Sequence, residues 1–296
     1  MRAAALVLSI LCTSLAAGEI PLAERRSGYE FMGRETRAMQ DDDSTNPALF
    51  LAAFCTSIQA GEIPLAERRS GYEFMGRQTR AMQDDDATNP ALFSLLDGET
   101  LWTRPDGTAA RACAGCHGDA AQSMKGVAAR YPSVAGGKPI NLEQRINACR
   151  IERQRAAPLA YESRELVALT AYVARQSRGM PIAIEANETT RPHIEAGRVL
   201  YERRQGQLNL ACSQCHDDNW GRQLAGTPIP QAHPTGYPIY RLEWQSMGSL
   251  ERRLRNCMIG VRAEPYAYGS PEMVQLELYL MWRARGMKLE TPAVRP

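Results

Sequence analysis

Several things are scarce in this sequence, and each scarcity excludes something. No stretch of the 296-residue chain approaches the roughly 18 to 20 apolar residues needed to cross a bilayer, so no membrane-spanning helix is expected. Charge of one sign is scarce too: 35 Lys and Arg against 33 Asp and Glu leave a formal net charge of +2, with no sign of nucleic-acid binding. No βαβ pattern is visible, which removes the usual setting of a redox C-x-x-C pair. What is present is an ordinary globular composition, 44% apolar and 23% charged. The length allows about two domains at roughly 100 to 200 residues each.

The N-terminus carries an export signal. Met1-Arg2 precedes the apolar run Ala3 to Leu11 and the small-x-Ala pattern Ser14-Leu15-Ala16. Residues 1–16 therefore read as a secretory signal peptide, and the protein as exported and soluble. Bulky Leu11 argues against lipidation of Cys12. Residues 8–50 and 51–93 form a tandem repeat with a period of 43, and within it 17–50 and 60–93 differ only at Glu35/Gln78 and Ser44/Ala87. Such near-identity points to a recent duplication rather than a solenoid, which needs at least three units. Only the second copy runs into the rest of the chain, so 17–60 reads as redundant; the mature start falls near Ala16 or near Ala60.

A second, diverged repeat organises the remainder. Gly98-Glu99-Thr100-Leu101-Trp102 corresponds to Gly197-Arg198-Val199-Leu200-Tyr201. Cys113-Ala-Gly-Cys116-His117 likewise corresponds to Cys212-Ser-Gln-Cys215-His216. Leu142-Glu143, Arg145 and Cys149 match Leu250-Glu251, Arg253 and Cys257, and Tyr161 and Arg178-Gly179-Met180 match Tyr268 and Arg285-Gly286-Met287. The expected architecture is all-α: two domains of one fold related by internal duplication. The first occupies 61–180 with an N-terminal extension, a linker follows at 181–192, and the second occupies 193–296. Helices are expected over 163–178 and 270–285, closed by Gly179 and Gly286, with shorter ones at 142–149 and 250–257. The Pro- and Gly-rich stretch 217–240 reads as loop.

The C-x-x-C-H runs are c-type haem attachment signatures. Two thiols add across the haem vinyl groups and the adjacent His ligates iron, which predicts two covalently bound haem c groups, attached at Cys113/Cys116 and Cys212/Cys215. His117 and His216 are the expected iron ligands. A zinc site needs four ligands, and each motif could supply three at most. The two domains are therefore expected to be cytochrome c-like.

The opposite face of each iron takes Met or His in most electron-carrying cytochromes c. His193 sits beside Pro192 and reads as a surface residue; His233 lies in the Pro/Gly loop without a counterpart. Met180 and Met287 follow the closing helices and read as helix-end or core contacts. That leaves Cys149 and Cys257, equivalent in the two repeats. Axial thiolate ligation is the favoured reading, and a disulfide between them or two inert thiols is the alternative. Thiolate lowers a haem potential, a poor choice for a simple electron carrier. Arg253 lies one helical turn before Cys257, as Arg145 does before Cys149. Arg252, Arg255 and Arg262 make the second cluster denser. Guanidinium groups lower a thiol's pKa and suit oxyanions; Arg252 or Arg255 alone reads as solvated helix face.

Taken together, these residues resemble the SoxA family, the catalytic subunits of the SoxAX cytochromes of bacterial thiosulfate oxidation. The resemblance covers about residues 61 to 290. It includes Ile-Pro-Leu-x-x-Arg-Arg-Ser-Gly-Tyr at 63–72, both haem motifs, Arg253-x-x-x-Cys257 and Arg262-Ala-Glu264. It implies a periplasmic L-cysteine S-thiosulfotransferase that joins thiosulfate oxidatively to a cysteine of the SoxYZ carrier. Cys257 would ligate the second haem and bear the sulfur, and Arg253 would bind the substrate anion. The monohaem partner SoxX would pass electrons to a soluble cytochrome c. The alternative is a two-haem electron-transfer cytochrome c without transferase activity.

Overall fold

Two helix crossings, one in each half of the chain, set the architecture. In the first half Leu92–Thr103 crosses Arg164–Arg175, and in the second Arg191–Glu202 crosses Pro271–Arg283. Each crossing is made at a glycine. A Cβ on Gly98 would lie 2.4 Å from the Ala168 carbonyl oxygen, and one on Gly197 would lie 2.1 Å from that of Gln275. Only glycine lets the backbones approach so closely. The computed structural model describes residues 62–296, together with a short backbone pairing of Glu30–Phe31 with Arg34–Glu35. The signal peptide, Cys12, Cys55 and, apart from that pairing, the tandem repeat up to residue 61 lie outside the described residues.

Local sequence explains the helices. Ser163 and Ser270 act as N-caps, their hydroxyls accepting from the N–H of Leu166 and Met273 at 3.2 and 3.3 Å. The closing helices then bury Leu166, Val167, Leu169 and Val173, and Met273, Leu276, Leu278 and Leu280. Each such side chain contributes about 1.5 to 3 kcal/mol. Regular helix stops at Arg175 and Arg283, earlier than expected, and a turn leads into Gly179 and Gly286 at φ of +80° and +83°. The shorter helices Leu142–Cys149 and Leu250–Gly260 start from Asn141 and Ser249 caps.

The halves do not sit apart on a linker. Ile63–Pro296 is one compact unit whose core runs from Trp102 and Val173 to Leu276 and Tyr279. The start of the expected linker pairs with the matching segment of the other half. Gly179 N–H donates to Leu289 O and Gly286 N–H to Ile182 O, both at 2.8 Å; Ile182 N–H donates to Met287 O and Leu289 N–H to Met180 O, both at 2.9 Å. These reciprocal bonds relate equivalent residues by a local twofold.

Two further departures concern the periphery. The N-terminal extension, assigned by sequence to the first domain, packs on the second half. Arg69 N–H donates to Gln231 Oε1 at 2.6 Å, Asn89 Nδ2 to Pro292 O at 3.3 Å, and Val294 N–H to Gln83 Oε1 at 3.1 Å. These are buried polar side chains satisfied by distant backbone. The stretch 217–240 is also not loop throughout, since Gln223–Leu224 pairs with Thr227–Pro228, and Ile239–Arg241 is a strand. That strand pairs antiparallel with Ser246–Gly248 and parallel with Ala293–Arg295. Helices still carry the fold; the ladders are two or three residues long.

Candidate active site

The second half builds a cavity around its C-x-x-C-H turn. Cys212–His216 forms a single helical turn, with Ala211 N–H held by Gln214 Oε1 at 2.9 Å. His216 Nδ1 lies 2.6 Å from the Pro230 carbonyl oxygen and donates to it, which fixes the orientation of the ring. The adjoining partly open cavity is lined by His216, Leu250, Leu254, Ile239, Leu280 and Cys257 among others.

Cys257 comes from the helix Leu250–Gly260 and stands close enough to His216 to interact with its imidazole. Burial pushes its thiol up, but His216, Arg253 and Arg241 outweigh that, and the net shift is downward. A thiol whose pKa is lowered yields thiolate more readily, and thiolate is the competent ligand and nucleophile. Arg253 lines the same cavity one turn earlier, and among the described residues no carboxylate pairs with it. The other arginines of the cluster are directed elsewhere. Arg252 lies over the Trp244 ring, 4.3 Å from its centroid, and Arg255 lies over Tyr268 at 4.5 Å.

The first half repeats the arrangement with differences. Cys113–His117 is again one helical turn, and the Trp102 ring lies 5.7 Å from that of His117. Cys149 interacts electrostatically with Cys113 and Cys116. Burial pushes the Cys149 thiol up, and Arg145, which donates to Tyr131 Oη at 3.1 Å, does not reverse this. Cys149 and Cys257 are both free thiols, each beside its own motif. His193 is half-buried with Nε2 3.2 Å from Gly137 O, and Met247 and Met258 are buried core residues.

Two residues of the cavity escaped the sequence reading. Arg241 lies on the strand Ile239–Arg241, and no local spacing links it to Cys257. His233, in the stretch that reads as loop, is buried and lines the cavity. Burial lowers its pKa to about 4, against the opposing pull of the Arg69 carbonyl 3.0 Å from Nδ1. Gly71, Phe74 and Met75, at and just after the 63–72 motif, form another wall.

The SoxA/TsdA cytochrome c domain family matches the chain twice, over residues 97–182 and 196–289. The chain belongs to this family. The L-cysteine S-thiosulfotransferase subunit SoxA of Pseudaminobacter salicylatoxidans is 40% identical over 201 residues, covering 67% of this chain and 70% of the relative. The subunit of the same name from Rhodovulum sulfidophilum is 37% identical with the same coverage. The crystal structure of SoxXA from P. pantotrophus superposes with a TM-score of 0.77 at 31% identity, covering 81% of this chain and 90% of that one.

A cytochrome c domain implies haem c, and this member's second-half residues suit it. The thiols of Cys212 and Cys215 stand on one turn with His216, whose ring is oriented by Pro230 O. The cavity wall is largely apolar apart from Arg241, Arg253, Arg295 and His233, with a second potential ligand in Cys257.

Proposed function

We propose that this chain is an exported, periplasmic L-cysteine S-thiosulfotransferase carrying two covalently attached haem c groups. Cys113/Cys116 and Cys212/Cys215 hold the macrocycles, and His117 with Cys149, and His216 with Cys257, ligate the irons. The halves arose by internal duplication, preceded by the signal peptide and the tandem segment. The relatives' shared name supports the activity, and the likeness to a SoxXA structure supports a SoxX partner. Among the described residues no helix is long and apolar enough to cross a membrane.

One observation carries the reading: a thiol with lowered pKa, Cys257, opens on a cavity beside an uncompensated guanidinium, Arg253. Thiosulfate is a compact dianion, and a guanidinium fork binds its oxygens while leaving the outer sulfur toward Cys257. Overall, that sulfur forms an S–S bond to a cysteine of the SoxYZ carrier. The carrier thiol releases its proton, and two electrons leave the sulfur pair. Bound haem c supplies the electron sink, with SoxX and a soluble cytochrome c beyond it. In this scheme Cys257 is the sulfur-bearing residue, and Arg253 binds and orients the anion. Peptide mass mapping tests it: after exposure to thiosulfate the Cys257 peptide is expected to carry an additional sulfur. Its absence under turnover conditions, with conjugate still forming on the carrier, contradicts the assigned role.

A further inference from the structure

Arg241 is the last residue of the strand Ile239–Arg241 and is fixed from both sides, opposite Ser246 in one ladder and Arg295 in the other. It is nine-tenths buried, with a relative exposure of 9%, and lines the cavity that holds Cys257 and Arg253. Its one ion pair, Nη2 to Glu243 at 2.8 Å, runs to a carboxylate that is 59% exposed. Trp244 covers one face of the guanidinium, 5.3 Å from ring centroid to Cζ. The buried Nε has no hydrogen-bond partner. Both Arg241 and Arg253 act on Cys257 and on the hydroxyl of Tyr237, and they repel one another. Two guanidiniums lining one cavity repel each other, and an anion held between them offsets that cost.

Comparison of the halves separates two uses for such a guanidinium. Aligned on Tyr131-Pro132 and Tyr237-Pro238, Arg241 stands where the first half has Ala135. The strands correspond as well: Ser133–Ala135 pairs with Lys138–Ile140 as Ile239–Arg241 pairs with Ser246–Gly248. The arginine one turn before the cysteine is common to both halves, as Arg145 and Arg253. Arg241 is not. A guanidinium serving the carboxylates of the macrocycle would be wanted wherever a haem motif occurs. One found in the second half alone goes with the cavity that it lines there together with Arg253 and Cys257.

We infer that Arg241 is a second substrate-binding residue, which with Arg253 grips the oxygens of a compact sulfur-oxyanion from two directions. Resting on the function proposed above, that anion is thiosulfate. The arrangement places two forks on three oxygens and leaves the outer sulfur for Cys257. Tyr237, which lines the same cavity close enough to feel both guanidiniums, adds a neutral hydroxyl donor.

The test is a calorimetric titration of thiosulfate into the oxidised, haem-loaded protein without carrier, for wild type, Arg241→Gln and Arg241→Lys. Loss of one charge-assisted contact is expected to weaken binding about ten- to hundredfold in Arg241→Gln. Arg241→Lys keeps the charge but loses the fork, and is expected to fall between. In turnover, KM for thiosulfate rises by more than kcat falls, with the haem absorption spectrum unchanged. Wild-type affinity in Arg241→Gln overturns the inference, as does intact affinity with altered haem retention, the mark of a guanidinium serving the macrocycle. If Arg241→Gln fails to fold, wild-type affinity in Arg241→Lys overturns the two-fork grip. These outcomes are separable from the function itself: a variant conjugating at wild-type affinity sinks the role of Arg241 alone, whereas wild type that binds thiosulfate without conjugating it sinks the transferase reading alone.

Discussion

Tyr161 and Tyr268 hold the same place in the two halves and stack on each other, with ring centroids 5.6 Å apart and planes inclined by 15°. A buried carboxylate cluster surrounds them. Asn141 Nδ2 donates to Glu251 Oε1 at 3.1 Å and to Glu277 Oε2 at 3.3 Å, and Glu143 is buried alongside. The residues that meet across the local twofold are therefore tyrosines and glutamates. Cys149 and Cys257 instead stay with their own motifs.

This cluster makes stability depend on pH. Burial pushes Glu143 up to about 7 and Glu251 to about 8, and raises Glu277 well above the carboxylate range. A carboxyl whose folded pKa is raised holds extra protons in the folded state, so its contribution is lost as pH rises through that pKa. His233 works in the opposite sense, but only between its folded value of about 4 and its unfolded value of 6.5. The window from about pH 6.5 to 8 thus belongs to the carboxylates. Unfolding stability is expected to fall there by about 2 kcal/mol, a drop of about 4 to 8 °C in Tm. Calorimetry of wild type and Glu277→Gln checks this, the variant showing the flatter profile.

Much of this was legible in sequence, for a physical reason. A haem motif is one helical turn, and Arg253 and Cys257 are one turn apart, so local spacing alone brings those groups together. Gly98 and Gly197 could be matched, although nothing in sequence revealed that they lie at helix crossings. Arg241 was not legible, because its place depends on a ladder to Ala293–Arg295 at the far end of the chain. The same holds for the 63–72 motif, whose function as a cavity wall rests on contacts such as Arg69 to Gln231. Glu143 and Glu251 stood out only as matched letters; their chemistry comes from burial at the twofold.

The glycines at the crossings yield a stability prediction. In Gly98→Ala the new Cβ would meet Ala168 O at 2.4 Å and Tyr172 Cβ at 2.6 Å, and in Gly197→Ala it would meet Gln275 O at 2.1 Å. Backbone atoms cannot yield as a flexible side chain does. Each variant is expected to lose about 3 kcal/mol, with a Tm lower by about 6 to 12 °C. Gly260→Ala, where a Cβ meets nothing within 4 Å, serves as the control and is expected to keep the wild-type midpoint.

The two halves are predicted to differ in function. The Cys149 thiol is raised by burial, whereas that of Cys257 is lowered by His216, Arg253 and Arg241 despite burial. Cys149→Ala is expected to change the electron paramagnetic resonance signal of the first haem while leaving thiosulfate conjugation within about threefold of wild type, under 1 kcal/mol of barrier. Kinetics and spectra on one preparation check both parts. Loss of conjugation with an unchanged second-haem spectrum would place the first half in the reaction.

The central claim is that Cys257 performs the sulfur chemistry, and Cys257→Ala tests it most directly. The variant is incubated with thiosulfate, the carrier and oxidised cytochrome c, and the carrier's mass is followed over time. Both haems are expected to stay attached through Cys113, Cys116, Cys212 and Cys215, and no thiosulfate adduct is expected on the carrier. An adduct forming at the wild-type rate would contradict the claim.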